Sequence, residues 1–315
     1  MMKVFICNKL EETNNQYFRR GWRTPYGELE NIGWTSIDVS EINGKLSDFL
    51  LLKYNKLPEI IFFWDVDIVI IRNMGNILQH KWKKYIYIDD LHRCLNIKNF
   101  ILPRFDYIFC TCAYTFNKFY PIIEPEKIIW YPHNINNKFF IEFNKHPQNK
   151  ILLSGSTHPR VYPFRYFVYK LSKTNKYPIN ILEQLSYVYP SHQYYGHEYI
   201  KYLNQYICCI TCCSNSETPY VVNKFFEIPA SGSLLLAYDE YIKEPLKELG
   251  FIDGENYISA TYDNITEKIA FITNPDNRIL IDRIRLNGYN LVWNNHKLSD
   301  RIKIIENITN KDLNM

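Results

Sequence analysis

An α/β protein built from two mostly parallel sheets is what this sequence predicts, on three observations. Short, fully apolar runs recur from the first residues, as in Glu59–Trp64 (EIIFFW). Helical spacing or a loop long enough for a crossover separates each run from the next. The rhythm breaks once, over residues 132–149, and then resumes. Continuous apolar strands belong to parallel sheets covered on both faces, joined by right-handed crossovers.

In the first half, strands are expected at Lys3–Cys7, Trp34–Val39, Glu59–Trp64, Lys84–Ile88, Tyr107–Thr111 and Lys127–Tyr131. Lys45–Tyr54 has helical spacing, ended by Pro58. The polar segments Pro132–Asn137 and His146–Asn149 carry two prolines and read as a connection between domains. In the second half the pattern predicts a strand at Lys150–Leu153, a helix over Arg160–Lys173, a strand at Ile179–Leu182 and a helix over His197–Gln205. A strand at Tyr206–Thr211, a helix over Val221–Ala230 and a strand at Ser233–Ala237 follow. The expected organisation is a Rossmann-like domain over 1–134, a linker over 135–149, a second Rossmann-like domain over 150–292, and a C-terminal helical segment, 293–315, that packs back on the first domain. Two such halves form a cleft, and ligands of such sheets bind beyond the carboxyl ends of the strands.

Composition narrows the function classes. With 46% hydrophobic and 22% charged residues, the 315-residue chain can bury a real core, so wholesale disorder is excluded. The 26 tyrosines and 19 phenylalanines, among many Ile, Asn and Lys, read as the bias of an AT-rich genome. The net charge of +4 comes from interspersed residues of both signs, which argues against a nucleic-acid partner. No apolar stretch approaches the roughly 18 residues of a membrane span. Met1–Leu10 has a five-residue apolar run before Glu11 and Glu12, too short for a signal peptide, so a cytoplasmic location is expected. Cys208-Cys209-Ile210-Thr211-Cys212-Cys213 continues the apolar run of Tyr206-Ile207 and reads as a buried strand rather than a zinc site.

Two stretches carry candidate chemistry. Ser154-Gly155-Ser156-Thr157 closes a strand and precedes Arg160 and Arg165. A small-residue turn before a helix can present N–H groups to a phosphate, with forked arginine contacts beside it, or it is an ordinary βα turn. In Asn223–Leu236 (NKFFEIPASGSLLL), Lys224 and Glu227 share a helix face. They could hold the phosphates and ribose hydroxyls of a nucleotide, or form a surface ion pair worth under about 1 kcal/mol. Upstream, Asp89-Asp90-Leu91-His92 follows a strand, where Asp90 could orient His92 or itself serve as a base.

NKFFEIPASGSLLLAY resembles the nucleotide-sugar signature of GT-B glycosyltransferases, closest to the CgeB-like group and the GT1/GT4-like glycosyl transferases group 1, in the form K-x-x-E-x-x-A-x-G before an apolar strand. YIDDLHRC, DYIFCTC with WYPHN, and VWNNHKLSDR support the likeness; the last is similar to a terminal H-T-x-x-x-R helix, with Leu298 near the usual Thr. The resemblance implies two Rossmann-like domains, the first on the acceptor side and the second binding a nucleotide-diphosphate sugar. It implies transfer to a hydroxyl of a carbohydrate or glycan acceptor, with no cofactor and no metal required. Glu227 would bind the donor ribose; Lys224 with Arg160 or Arg165 would hold the diphosphate. Gly155, Ser156, Ser231 and Gly232 would let the backbone approach the donor, and His92 with Asp90 would do the catalytic work. The glycine-rich loop usual after the first strand is replaced by Asn8-Lys9-Leu10.

Other classes stay open on the residues. Trp64-Asp65-Val66-Asp67 ends an apolar strand in Asp-x-Asp, the metal-binding pattern of GT-A glycosyltransferases, whose carboxylates clamp Mg²⁺ or Mn²⁺. A non-catalytic nucleotide- or sugar-binding module is another. A NAD-type Rossmann protein is disfavoured, because no G-x-G-x-x-G follows any strand.

Overall fold

The structure, a computed structural model, describes residues 2–7, 25–64, 66–67, 71, 76–89, 91–92, 94–182, 194 and 196–313. The chain divides into two units: Met1–Pro132 with Ser299–Met315, and His133–Leu298. Residues 135–149 belong to the second unit.

The first unit carries β1 (Lys3–Cys7), β2 (Trp34–Asp38), β3 (Ile60–Trp64), β4 (Lys83–Ile88), β5 (Tyr107–Cys110) and β6 (Ile128–Trp130), all parallel, in the order β2-β1-β3-β4-β5-β6. Its helices include α1 (Tyr26–Asn31), α2 (Leu46–Tyr54), α3 (Leu95–Ile101) and α4 (Ala113–Phe119). Every residue of β3 is buried. The tyrosines and phenylalanines build this core: Phe62 meets Phe5 edge-on at 5.6 Å and Phe109 at 4.9 Å, and Trp64 stacks on Tyr87 at 4.0 Å. Such contacts add to the area that each ring buries.

The second unit carries β7 (Gln148–Ser154), β8 (Ile179–Leu182), β9 (Tyr206–Cys212), β10 (Leu234–Tyr238) and β11 (Ile258–Ser259), again parallel, in the order β11-β10-β9-β7-β8. Its helices are α5 (Pro163–Ser172), α6 (Gly196–Asn204), α7 (Lys224–Ala230), α8 (Lys243–Glu248), α9 (Ile265–Thr273) and α10 (Arg278–Asn295), before α11 (Leu298–Leu313). The strand order reverses between β7 and β9, so their carboxyl ends, Ser154 and Cys212, flank the switch point where such sheets take ligands. Two separate parallel sheets are not the single-sheet GT-A architecture that Asp-x-Asp suggested; Asp65 lies outside the described residues, and Asp67 is exposed.

Two helix starts differ from the sequence pattern. The helix expected from Arg160 begins at Pro163, whose fixed φ and missing N–H suit the first helical position. Ahead of it, the N–H groups of Val161 and Tyr162 both donate to the His158 carbonyl, forming a turn. The helix expected from Val221 begins at Lys224, because Val221 and Val222 are buried ahead of the turn at Asn223.

β9 is buried along its whole length, with Cys208, Cys209 and Cys212 in the centre of the sheet. Burial pushes the Cys209 and Cys213 thiols up to about 12. The thiolate is the form that reacts or binds metal, so these sulfurs are inert packing atoms. Of the eight cysteines only Cys94 is exposed. A thiol reagent such as DTNB should therefore label the native protein rapidly at one site, and Cys94→Ser should abolish that fast phase. Rapid labelling of several thiols would contradict the buried strand. Among the described residues, no helix is long and apolar enough to cross a membrane, and no cluster of three metal-ligating side chains forms.

Candidate functional site

The carboxyl ends of β7 and β9 bring two cations together. Ser154 ends β7, and Gly155 turns the chain with φ +89°, a left-handed conformation that favours glycine. A Cβ on Gly155 would stand 2.7 Å from Lys224 Cε and 3.4 Å from both Lys224 Nζ and Arg165 Nη1. Lys224 and Arg165 thus converge on one bare stretch of backbone, which only glycine leaves open.

Arg165 lies in the first turn of α5 and is only 3% exposed. Its Nη2 donates to Thr211 Oγ1 at 2.9 Å and to the Cys212 carbonyl at 3.4 Å, and its guanidinium lies 4.0 Å over the Tyr162 ring. Its Nε is buried and has no partner among the described residues.

Lys224 opens α7. Its ammonium donates to Tyr199 Oη and, at 3.3 Å, to Ser154 Oγ; these two hydroxyls lie 2.7 Å apart. The ammonium is 4.6 Å over the Tyr199 ring and 3.9 Å from Glu227 Oε2. Glu227, one turn further on, is 3% exposed, and its Oε1 accepts from Asn223 Nδ2. The pair is thus buried, where the surface ion pair left open by the sequence would be exposed. Among the described residues, the cluster sets two cations, Lys224 and Arg165, beside one carboxylate, Glu227.

Of the expected site residues, the structure brings Gly155, Arg165, Lys224 and Glu227 together. Ser156 sits on the adjoining turn, and its Oγ accepts from the His158 N–H. Arg160 is exposed on that loop, its carbonyl accepting from Asn215 Nδ2. Ser231 and Gly232 lie at the far end of α7, about 10 Å of helix from Lys224. Ser231 is fully buried and gives its hydroxyl to the Ile228 carbonyl, and Gly232 turns with φ +80° against the Phe143 ring. Both end the helix; neither joins the cluster.

In the first unit, His92 is exposed on a turn after β4. Nearby, Thr111 Oγ1 donates to Asp89 Oδ1 at 2.7 Å, and Tyr120 donates to the Leu91 carbonyl at 2.6 Å. Asp90 and Asn8-Lys9-Leu10 lie outside the described residues. In the terminal segment, His296 is buried with Nε2 2.8 Å from the Leu249 carbonyl, and Arg301 donates to the Pro132 carbonyl at 2.9 Å. Both tie the backbone.

Sequence reading did not single out Tyr199, Thr211 or Asn223 as site residues. Tyr199 is one tyrosine among 26, on the buried face of an amphipathic helix. Only the fold shows its hydroxyl meeting Lys224.

A family model described as "Glycosyl transferase-like" matches residues 155–307. A comparison with curated proteins finds no match. Among solved structures, sucrose-phosphate synthase from Thermosynechococcus elongatus is similar with a TM-score of 0.65 at 11% identity, over 99% of each chain. A glycosyltransferase from Rickettsia africae gives 0.62 at 12% identity, over 99% of this chain and 98% of that one. The Anabaena protein HepE in complex with UDP-glucose gives 0.57 at 10% identity, over 98% of this chain and 100% of that one.

Proposed function

We propose that this chain, whose fold is that of GT-B glycosyltransferases and whose residues 155–307 match a glycosyl transferase-like family model, is a glycosyltransferase that moves a sugar from a nucleoside-diphosphate sugar to a hydroxyl of a carbohydrate acceptor. One observation carries the donor class: Lys224 and Arg165 converge beside the Gly155 backbone with the Glu227 carboxylate one helical turn away. Two cations suit a diphosphate, and a carboxylate suits the hydroxyls of a ribose. A similar fold, HepE, was seen with UDP-glucose, which supports the same donor class.

In this reading the cations act where charge develops. As the sugar–phosphate bond breaks, negative charge grows on the leaving diphosphate, and fixed donors stabilise it without reorganising. Arg165 is already locked by Thr211 and the Cys212 carbonyl, so its fork is preorganised. The diphosphate's charge is met by these side chains, and the reading requires no metal. Asp90 and His92 are the proposed proton-handling groups toward the acceptor hydroxyl. Ser156 and Arg160 are proposed to border the phosphates from the loop before α5, and Ser231 and Gly232 to set the far end of α7. The proposed setting is the cytoplasm, consistent with eight cysteines that form no disulfide.

The test is a panel of nucleoside-diphosphate sugars, scored by thermal shift and by donor hydrolysis, with and without EDTA. One or a few donors should raise the melting temperature and be hydrolysed in both conditions. Activity lost in EDTA and restored by Mn²⁺ would overturn the metal-free mechanism. A panel with no stabilising donor would overturn the donor assignment.

A further inference from the structure

We propose that Tyr199, with Ser154 beside it, is a positioning residue that sets the Lys224 ammonium next to Gly155, ready to receive a diphosphate. The inference rests on the donor-site reading above and adds to it a residue from outside the signature stretch.

Lysine is a flexible point charge on a four-carbon stem, and ordering it at the moment of binding weakens affinity. Here the order is built in. Tyr199 Oη and Ser154 Oγ both accept from Lys224 Nζ, and the Tyr199 ring lies beneath the ammonium at 4.6 Å. The two hydroxyls are 2.7 Å apart, so one of them also donates to the other. Tyr199 comes from α6 and Ser154 from the end of β7, so two elements fix one cation.

The type of partner matters. A carboxylate in hydrogen-bonding contact would hold the lysine but cancel its charge. Glu227 Oε2 stands off at 3.9 Å, and the other oxygen of that carboxylate is taken by Asn223. Burial, reinforced by the nearby Glu227 charge, pushes the Tyr199 hydroxyl well above its usual range, so it stays protonated. Two neutral oxygens therefore orient the ammonium beside the turn, with the nearest Glu227 oxygen at 3.9 Å. A buried tyrosine hydroxyl ordinarily finds a partner; here that partner is a cation aimed at the turn.

The experiment is a double-mutant cycle of Tyr199→Phe and Lys224→Met on the full chain, read as binding of inorganic pyrophosphate and of UDP, GDP and ADP. Pyrophosphate probes the charge site whatever the base. Phenylalanine keeps the ring and removes only the hydroxyl. Tyr199→Phe should weaken pyrophosphate binding about ten-fold, the scale of one hydrogen bond to a charged group. Lys224→Met should weaken it more, and the double variant should be no worse than Lys224→Met alone, because Tyr199 acts through the lysine. Additive losses, or no loss in Tyr199→Phe, would overturn the positioning role. Normal binding in Lys224→Met would instead overturn the donor-site reading, and wild-type protein that binds none of the probes would overturn both. Should Tyr199→Phe fail to fold, Ser154→Ala in the same cycle decides the matter, with a smaller loss expected that vanishes in the Lys224→Met background.

Discussion

Glu227→Ala should lose both donor affinity and stability. The carboxylate is proposed to accept two ribose hydroxyls, and charge-assisted bonds in a buried site are poorly replaced by water. Their loss should cost about 2–4 kcal/mol of donor binding, roughly 30- to 1000-fold in Kd. An exposed carboxylate could be removed without touching the fold, but Glu227 is 3% exposed and holds Asn223 Nδ2. Alanine leaves that buried amide without its acceptor, at about 1–3 kcal/mol. Melting should therefore fall by several degrees, given roughly 2–4 °C per kcal/mol for a unit of this size. Glu227→Gln separates the two effects. Its amide oxygen still accepts from Asn223, so melting should stay near wild type, while binding of the nucleotide sugar remains impaired for want of the charge. Calorimetric titration with the best donor and a melting curve, run on both variants, provide the check. A Glu227→Gln variant that binds donor as tightly as wild type, with Glu227→Ala merely unstable, would make Glu227 structural.

The second large effect is expected far from the donor. Arg285, on α10, is completely buried. Its Nε donates to the Gly232 carbonyl at 3.0 Å, its Nη2 to the Asn144 carbonyl at 2.9 Å, and its Nη1 to Asp282. The guanidinium also lies 4.8 Å over the Phe143 ring. One side chain thus joins the segment before β7, the corner after α7, and α10. Arg285→Ala strips two carbonyls of their donor and leaves a void, at about 3–5 kcal/mol. Arg285→Lys should recover little, because a single ammonium cannot reproduce a planar fork reaching two carbonyls. Urea unfolding should show the midpoint sharply lowered in both variants. An unchanged midpoint in Arg285→Ala would mean that the three segments hold together without it.

What was legible in the sequence was what burial on both faces writes into it. Ile60–Trp64, Tyr206–Cys212 and Leu234–Tyr238 show as unbroken apolar runs because the sheets cover them on both sides. Lys224 and Glu227 were legible because helical spacing puts them on one face. The helix starts at Pro163 and Lys224, later than the spacing predicts, have local causes: a Pro-led helix and a buried Val-Val pair outweigh the general pattern. Ser231 and Gly232 look like ligand-facing small residues in the sequence, but the same residue types end helices and turn corners, and here the corner closes on Phe143. Tyr199 was illegible because its role depends on α6 lying beside β7 and α7, which no spacing in the chain encodes.

The way the chain completes its first unit has a consequence for birth on the ribosome. The second unit is one uninterrupted run, His133–Leu298, whereas the first draws on Ser299–Met315. Ile302 and Ile305 are buried in the same cluster as Phe62, Tyr85, Phe109 and Tyr131, and Tyr85 donates to Asp312 at 2.6 Å. Residues of the first unit made early therefore wait for partners made much later. Although it emerges second, the 133–298 unit can close as soon as its own run is clear of the exit tunnel. The six-stranded sheet meanwhile keeps an apolar face uncovered until α11 arrives, the interval in which a nascent chain most needs a chaperone.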